Sequence, residues 1–294
     1  MASPLLNALR RHAEAHADPA GIAATPIPGL TVLRATGPSD LQYAISRPLV
    51  ALVVQGGKRV AMGRHSLTFG AGESLLVAAD VPTVSQVIRA SPAAPYYSLV
   101  LELDLPVIAE LALAMKAAPA ASGAAVAVEP TEAEVAEAGL RLMRLLDRPA
   151  ALPVLQAPLL REMHYWLLAG RHGAAIGRLG WPAAPVQRLA RAVALLRRDF
   201  ARPLPVERLA AEAGMSPSTF HQHFRAATSL SPLQFQKQLR LIEARRLMLV
   251  EDRAAGHAAF AVGYESVSQF TREYRRMFGA PPRRETSAAR RAAG

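Results

Sequence analysis

Two stretches of the chain place polar side chains at repeating helical intervals. In the first, Ser218, His221, Gln222 and Arg225 fall three and four residues apart. A helix would gather them on one face and put Phe220 and Phe224 on the other. In the second, Val267, Ser268, Gln269, Thr271 and Arg272 precede Arg275 and Arg276, with Phe270 and Tyr274 as the inward pair. Their shared chemistry is that of groove-reading groups. Glutamine matches the bidentate edge of adenine and arginine that of guanine. Serine and histidine bond base edges, and Val267 or the Thr271 methyl suits thymine. Arg225, Arg275 and Arg276 suit phosphate oxygens.

Other chemistries lack their residues. The chain has no cysteine, so disulfides, thiolate metal sites, cysteine nucleophiles and alkyl-accepting repair are excluded. Residues 30–104 offer His65, Glu73 and Glu102 but no second histidine, too few nitrogen ligands for a metal enzyme. No metal, cofactor or catalytic residue is therefore expected. The formal net charge of +11 is unevenly placed. Residues 181–294 hold 19 Lys+Arg against 9 Asp+Glu, whereas residues 1–180 hold 15 against 14. An excess confined to the stretch with base-reading residues fits a phosphate footprint better than a merely solvated face.

The elements that must position these groups form a duplicated pattern. Ala210, Ala211, Gly214, Ser216, Phe220, Phe224 and Arg225 return as Ala259, Ala261, Gly263, Ser266, Phe270, Tyr274 and Arg275. The glycines are 49 apart and the aromatics 50, so the second turn carries one extra residue. Each copy reads as a helix, a turn at glycine, a serine cap and a second helix, the helix-turn-helix pattern. Gly256 weakens the first helix of the second copy, which is expected to fray or start late. Between the copies, residues 232–249 read as one helix, capped by Ser231 and started by Pro232. Its stripes are Phe235, Leu239, Ile242 and Leu249 on one side, and Leu241, Ala244 and Met248 on the other. Eighteen residues at helical rise span roughly 27 Å. Gly279, Pro281 and Pro282 are expected to end the domain, leaving residues 283–294 as a basic disordered tail.

The N-terminal part has a different period. Residues 1–20 form a short amphipathic helix with Leu5, Leu6 and Leu9. From 30 to 104, short β-rich runs at 30–34, 49–54, 58–62, 65–69, 74–78, 84–88 and 96–103 suggest a small antiparallel barrel or jelly roll. Gln55-Gly56-Gly57 is read as the turn of a hairpin. Tyr97, Leu99, Leu101 and Leu103 share one face. Val84, Gln86 and Ile88 share another. Gln86 and Tyr97 are the candidate effector-contacting residues; the alternative for Gln86 is satisfaction by neighbouring backbone, and Tyr97 and His65 carry the same two readings, His65 as an exposed residue near a turn. Residues 106–116 form a helix, 117–127 a loose connection, and 129–170 further helices. These carry Thr131 as a cap, then Val135, Leu140, Leu142, Leu145 and Leu146, and the stripe Leu155, Leu159, Met163 and Leu167. They either pair two subunits or pack on their own barrel. Residues 170–184 are the expected hinge.

The fold class is thus α+β and multidomain. A β-barrel effector domain occupies 20–118, a helical linker and possible dimerisation region 128–180, and an all-α double helix-turn-helix domain 185–282. Residues 186–282 resemble the AraC/XylS family of bacterial transcription regulators. The resemblance lies in Leu209-Ala210-Ala211-Glu212-Ala213-Gly214-Met215-Ser216, Ser231-Pro232-Leu233-Gln234-Phe235, Glu243-Ala244-Arg245-Arg246-Leu247 and Gly263-Tyr264-Glu265-Ser266-Val267-Ser268-Gln269-Phe270 onward to Pro282. Leu52-Val53-Val54-Gln55-Gly56-Gly57-Lys58-Arg59-Val60, Ala79-Asp80-Val81-Pro82 and Ser91-Pro92-Ala93-Ala94-Pro95-Tyr96 resemble the family's cupin-like effector domain. The resemblance implies a sequence-specific, non-enzymatic regulator, tilted towards activation. Its partners would be double-stranded DNA and an unknown small-molecule effector, with RNA polymerase and a homodimer open. The expected location is the cytoplasm, away from membrane. The alternatives are a metal-independent cupin-type enzyme and a non-specific architectural DNA-binding protein.

Overall fold

The structure, a computed structural model, describes residues 3–62, 65–116, 126–180 and 185–293. It divides into two compact units, Met1–Gln187 and Arg188–Gly294. Gly63 and Arg64 between the expected strands at 58–62 and 65–69, the side chain of His65, most of the 117–127 connection and the end of the 170–184 hinge lie outside the described residues.

The first unit begins with α1 (Pro4–His16), then nine strands. These are β1 (Ile22–Ala24), β2 (Leu30–Ala35), β3 (Gln42–Ser46), β4 (Leu49–Gln55), β5 (Gly57–Met62), β6 (His65–Gly70), β7 (Glu73–Val77), β8 (Val81–Arg89) and β9 (Tyr96–Glu102). There follow α2 (Leu105–Ala114), β10 (Val126–Pro130), α3 (Ala133–Leu145), α4 (Leu152–Ala169) and α5 (Gly173–Gly180). The strands make two antiparallel sheets, β1-β2-β9-β4-β7-β10 and β3-β8-β5-β6. The antiparallel β architecture is as expected, but the sheets do not close into a barrel.

Gln55 to Gly57 is not a hairpin turn. β4 pairs with β7 and β9 while β5 pairs with β6 and β8, so the chain changes sheet there. Gly56 makes the corner at φ +85°, where a Cβ would stand 2.5 Å from the Arg89 carbonyl and 3.0 Å from Tyr96 Cα. No L side chain fits both constraints.

Strand β9 is covered on both sides, which explains its nearly continuous apolar sequence. Tyr97, Leu99 and Leu101 pack with Ile108, Leu142, Met143 and Leu167 from the helices. Tyr96 and Val100 face the other sheet with Val53, Val60, Phe69 and Val87. Leu5, Leu6 and Leu9 of α1 join the helix-side core, each burial stabilising by about 1.5–3 kcal/mol. The 128–180 stretch thus belongs to this unit and is not a separate linker domain.

Its details differ from expectation as well. Glu129 and Pro130 end a strand paired with β7. Glu132, not Thr131, stands at the N-cap of α3, and the Thr131 hydroxyl has no hydrogen-bond partner. On α4, Met163 and Leu167 are buried but Leu155 is exposed. Residues within the expected hinge form α5, packed on α2.

The second unit contains α6 (Pro185–Asp199) from Arg188 on, α7 (Val206–Glu212), α8 (Pro217–Thr228), α9 (Pro232–Leu249), α10 (Ala255–Ala261), α11 (Val267–Phe278) and α12 (Pro282–Ala293). Leu189, Val193 and Leu196 of α6 are buried. Helix α9 is continuous, and Ser231 and Gln234 close a full capping box at its start. Its N-terminal half meets the first motif through Phe235, which packs edge-on against Phe224 at 5.4 Å. Leu241, Ala244, Leu247 and Met248 meet the second motif in one cluster with Ala258, Ala259, Phe270 and Tyr274. Ile242 and Leu249 are only half-buried, and Leu247 lies in the core instead.

Candidate nucleic-acid interface

The two turns are superposable in their hydrogen bonding. Met215 N donates to Ala210 O and Gly214 N to Ala211 O; 49 residues later Tyr264 N donates to Ala259 O and Gly263 N to Phe260 O. Ala211 is therefore equivalent to Phe260, not to Ala261. Both glycines are left-handed, at φ +60° and +88°. The extra residue precedes the cap, and Ser216 and Ser266 each accept from the backbone three residues on. Helices α7 and α10 both have seven residues. Gly256 neither shortens nor delays its helix, because it falls in the first turn, where the N–H has no intrahelical partner.

From the caps onward the 50-residue offset holds. It equates Ser218 with Ser268, His221 with Thr271, Gln222 with Arg272 and Arg225 with Arg275. Phe220, Phe224, Phe270 and Tyr274 are all fully buried. Opposite them Ser218, His221, Gln222 and Arg225 are exposed, as are Val267, Ser268, Arg272, Arg275 and Arg276. Val267, Ser268, Thr271, Arg272 and Arg275 line one surface depression. Two of the expected base readers are constrained. The Thr271 hydroxyl donates to Val267 O at 2.8 Å, leaving its methyl outward. Gln269 is half-buried and its amide donates to Glu273 at 3.3 Å, so it turns towards the protein.

The repeat continues past the expected domain end. Ser229 and Gly279 are equivalent left-handed C-caps, at φ 61° and 82°, and Pro232 and Pro282 equivalent helix starts. The expected disordered tail is helix α12 through Ala293. Phe235 is matched by Glu285. The contact persists while its chemistry changes, since Tyr274 Oη donates to Glu285 at 2.6 Å and Arg245 pairs with the same carboxylate at 2.7 Å.

Several residues that hold the probes were not foreseen. Glu273 is buried and accepts from Lys237 Nζ at 2.9 Å, Tyr264 Oη at 2.9 Å and Gln269. Burial acts to raise its pKa, but these three donors outweigh burial and hold the carboxyl below its ordinary value. Gln236 donates to the carbonyls of Phe200 and Arg202, and Arg240 to those of Phe200 and Gly263. The segment after α6 is thereby fixed against the second turn. The one available signal was polar residues beside core positions, Gln236 next to Phe235 and Glu273 next to Tyr274.

The candidate effector residues are not where alternation put them. Val81 and Val87 of β8 belong to the inter-sheet core, so Val84, Gln86 and Ile88 lie on the other, half-buried face. Gln86 donates to Ser39 O at 2.9 Å, the backbone-satisfied alternative. Tyr97 is buried beneath the helices rather than between the sheets. Among the described residues no group of His, Cys, Asp and Glu could hold a metal ion, and no helix is long and apolar enough to cross a membrane.

Comparison with known proteins agrees with this organisation. Residues 26–175 match the family described as AraC-type transcriptional regulator N-terminus, and residues 209–287 match a helix-turn-helix domain. The transcriptional activator RhaS of Escherichia fergusonii is 33% identical over 96 residues, 33% of this chain and 34% of that protein. The regulator GbdR of Pseudomonas aeruginosa is 31% identical over 93 residues, 32% of this chain and 25% of that protein. The matched segment thus spans about a third or less of either relative. In three dimensions the chain resembles ToxT of Vibrio cholerae, solved bound to (E)-4-(8-methylnaphthalen-1-yl)but-3-enoic acid. The TM-score is 0.59 at 11% identity, covering 88% of this chain and 98% of that one. The N-terminal match takes in just over half of the sequence. With a duplicated helix-turn-helix behind it, the chain belongs to the AraC-type transcriptional regulators.

Proposed function

We propose that this protein is a sequence-specific DNA-binding transcription regulator, an activator like the RhaS relative, whose N-terminal sheets sense a small molecule. One observation carries the reading. Two serine-capped helices, held by one continuous helix, expose the same three positions to solvent, 218 and 268, 222 and 272, and 225 and 275. At one of those positions the first copy offers Gln222 and the second Arg272. These side chains suit adenine and guanine respectively. Ser218, His221, Ser268, Val267 and the Thr271 methyl complete the base-facing set, with Gln269 held back by Glu273. Arg225, Arg275 and Arg276 are assigned to phosphate. The ToxT structure with a bound small acid supports a sensing role for the sheets. Assembly with RNA polymerase and pairing of two copies complete the proposed activator.

Selection from random duplexes, followed by footprinting, tests the assignment. It predicts two protected blocks in adjacent major grooves, about 10 bp apart. Binding to all duplexes alike, with affinity set by salt alone, would make this an architectural protein instead.

A further inference from the structure

The core between the two sheets is built of aliphatic and aromatic residues, with a polar exception at one end. On β9, Tyr96 and Ser98 point away from the helices. Their cross-strand neighbours Leu33, Ala35 and Val53 all belong to the inter-sheet core. Tyr96 Oη and Ser98 Oγ are sealed from solvent, and apart from a loose approach to each other neither has a hydrogen-bond partner. On the facing sheet, Lys58 of β5 lies directly across from Phe69 of β6 and Val87 of β8. Both are core residues, and directly paired residues of antiparallel strands share a face. Lys58 therefore enters the same interior. Gly56, two residues earlier, abuts the Tyr96 backbone, which puts the lysine and the tyrosine at one end.

No ion pair or hydrogen bond engages Lys58 among the described residues. Burial alone lowers its pKa to about 8, so at neutral pH it is still mostly an ammonium. Of the other cations on these strands, Arg59 is exposed and Arg89 lies over Gly57 and Gly70 on the opposite face. The Thr83 hydroxyl is already shared with Ser46. A half-buried cation without a counter-ion, and two hydroxyls with no partner but each other, are costly in an apolar shell when left unanswered.

We propose that Lys58, Tyr96 and Ser98 are the polar pole of the effector site, and that its ligand is a small apolar monocarboxylate. One ammonium balances one negative charge, the two hydroxyls donate to the carboxylate oxygens, and the Val, Leu and Phe walls take a hydrocarbon body. A sugar would need polar partners on several walls. A phosphate dianion would need more positive charge. The inference rests on the sheets being the sensor unit and names what they sense.

The test uses the full chain with octanoate and benzoate, each against its uncharged partner, 1-octanol and benzyl alcohol, by calorimetry and thermal unfolding. The carboxylates are expected to bind at least about tenfold more tightly than the alcohols. Lys58→Met, which keeps the length and removes the charge, is expected to abolish that preference. In the wild type, carboxylate affinity should hold steady below pH 8 and fall above it as Lys58 deprotonates. Tyr96, the other titratable group of this interior among the described residues, is pushed up to about 12 by burial, with Ser98 opposing, and stays neutral throughout. Equal binding of acids and alcohols, a preference surviving Lys58→Met, or a flat pH profile would each overturn the site; the last applies even if the variant does not fold. Operator selection on the same preparation separates the two readings. Intact DNA specificity without carboxylate binding defeats only the effector assignment.

Discussion

Removing the carboxylate at position 273 and merely neutralising it should have different consequences. Glu273 is 6% exposed and its side chain accepts three hydrogen bonds. Glu273→Ala leaves Lys237 without its counter-ion and the Tyr264 hydroxyl, itself buried, without an acceptor. Breaking a buried pair costs about 3–5 kcal/mol. The Lys237 side chain is 36% exposed and keeps part of its hydration, so the low end, about 3 kcal/mol, is expected. Glu273→Gln can keep every contact. Its oxygen faces Lys237 and Gln269, while its NH2 donates to Tyr264 Oη, which turns to accept. Only the charge is lost, worth about 1 kcal/mol as the difference between charged and neutral hydrogen bonds. Hydrogen exchange of peptides spanning α10 and α11, in the full chain, reads both values locally. The carboxyl is held below its ordinary 4.5 in the folded state. Its contribution is therefore complete above that value and lost as pH falls through the folded pKa. Glu273→Gln should lack this acid-side loss. Two variants of equal cost, or an alanine variant exchanging like wild type, would refute the reasoning.

Arg272→Ala and Gln222→Ala should each relax preference at one base position at a cost of about 1–3 kcal/mol on the selected site, and add in the double variant, as separate probes do. A loss spread evenly over all sequences would reassign them to phosphate. Gly263→Ala should destabilise the second unit severely, since its Cβ would meet the Ala201 carbonyl at 1.9 Å at φ +88°. Gly256→Ala, with its nearest neighbour at 3.9 Å, should instead stabilise by up to about 1 kcal/mol; thermal midpoints in the reverse order would contradict both. Lys58 releases its proton near pH 8 when folded, against 10.5 when exposed. First-unit stability should therefore rise between those values by up to about 3 kcal/mol. Denaturation of Lys58→Met should show no such rise, and a rise that persists would place the titration elsewhere.

The duplicated helix-turn-helix was legible in the sequence because its determinants are local. Gly214 and Gly263 meet a backbone requirement, Ser216, Ser231 and Ser266 satisfy N–H groups three residues away, and each aromatic pair sits one helical turn apart. None of these depends on a distant residue. The strands were mostly found for the same reason, through punctuation and apolar runs. Their partners were not. Gln55 to Gly57 reads as a hairpin turn whether the next strand folds back or crosses to another sheet, and only the Gly56 contact with Arg89 and Tyr96 decides between them. Alternation also gave two faces for β9 without saying that both are buried, so Tyr97 was assigned to the interior that Tyr96 in fact occupies. The groups that hold the second probe, Lys237 with Glu273 and Arg245 with Glu285, lie 36 and 40 residues apart. Such pairings depend on which surfaces the packed helices bring together, and spacing along the chain carries no record of that.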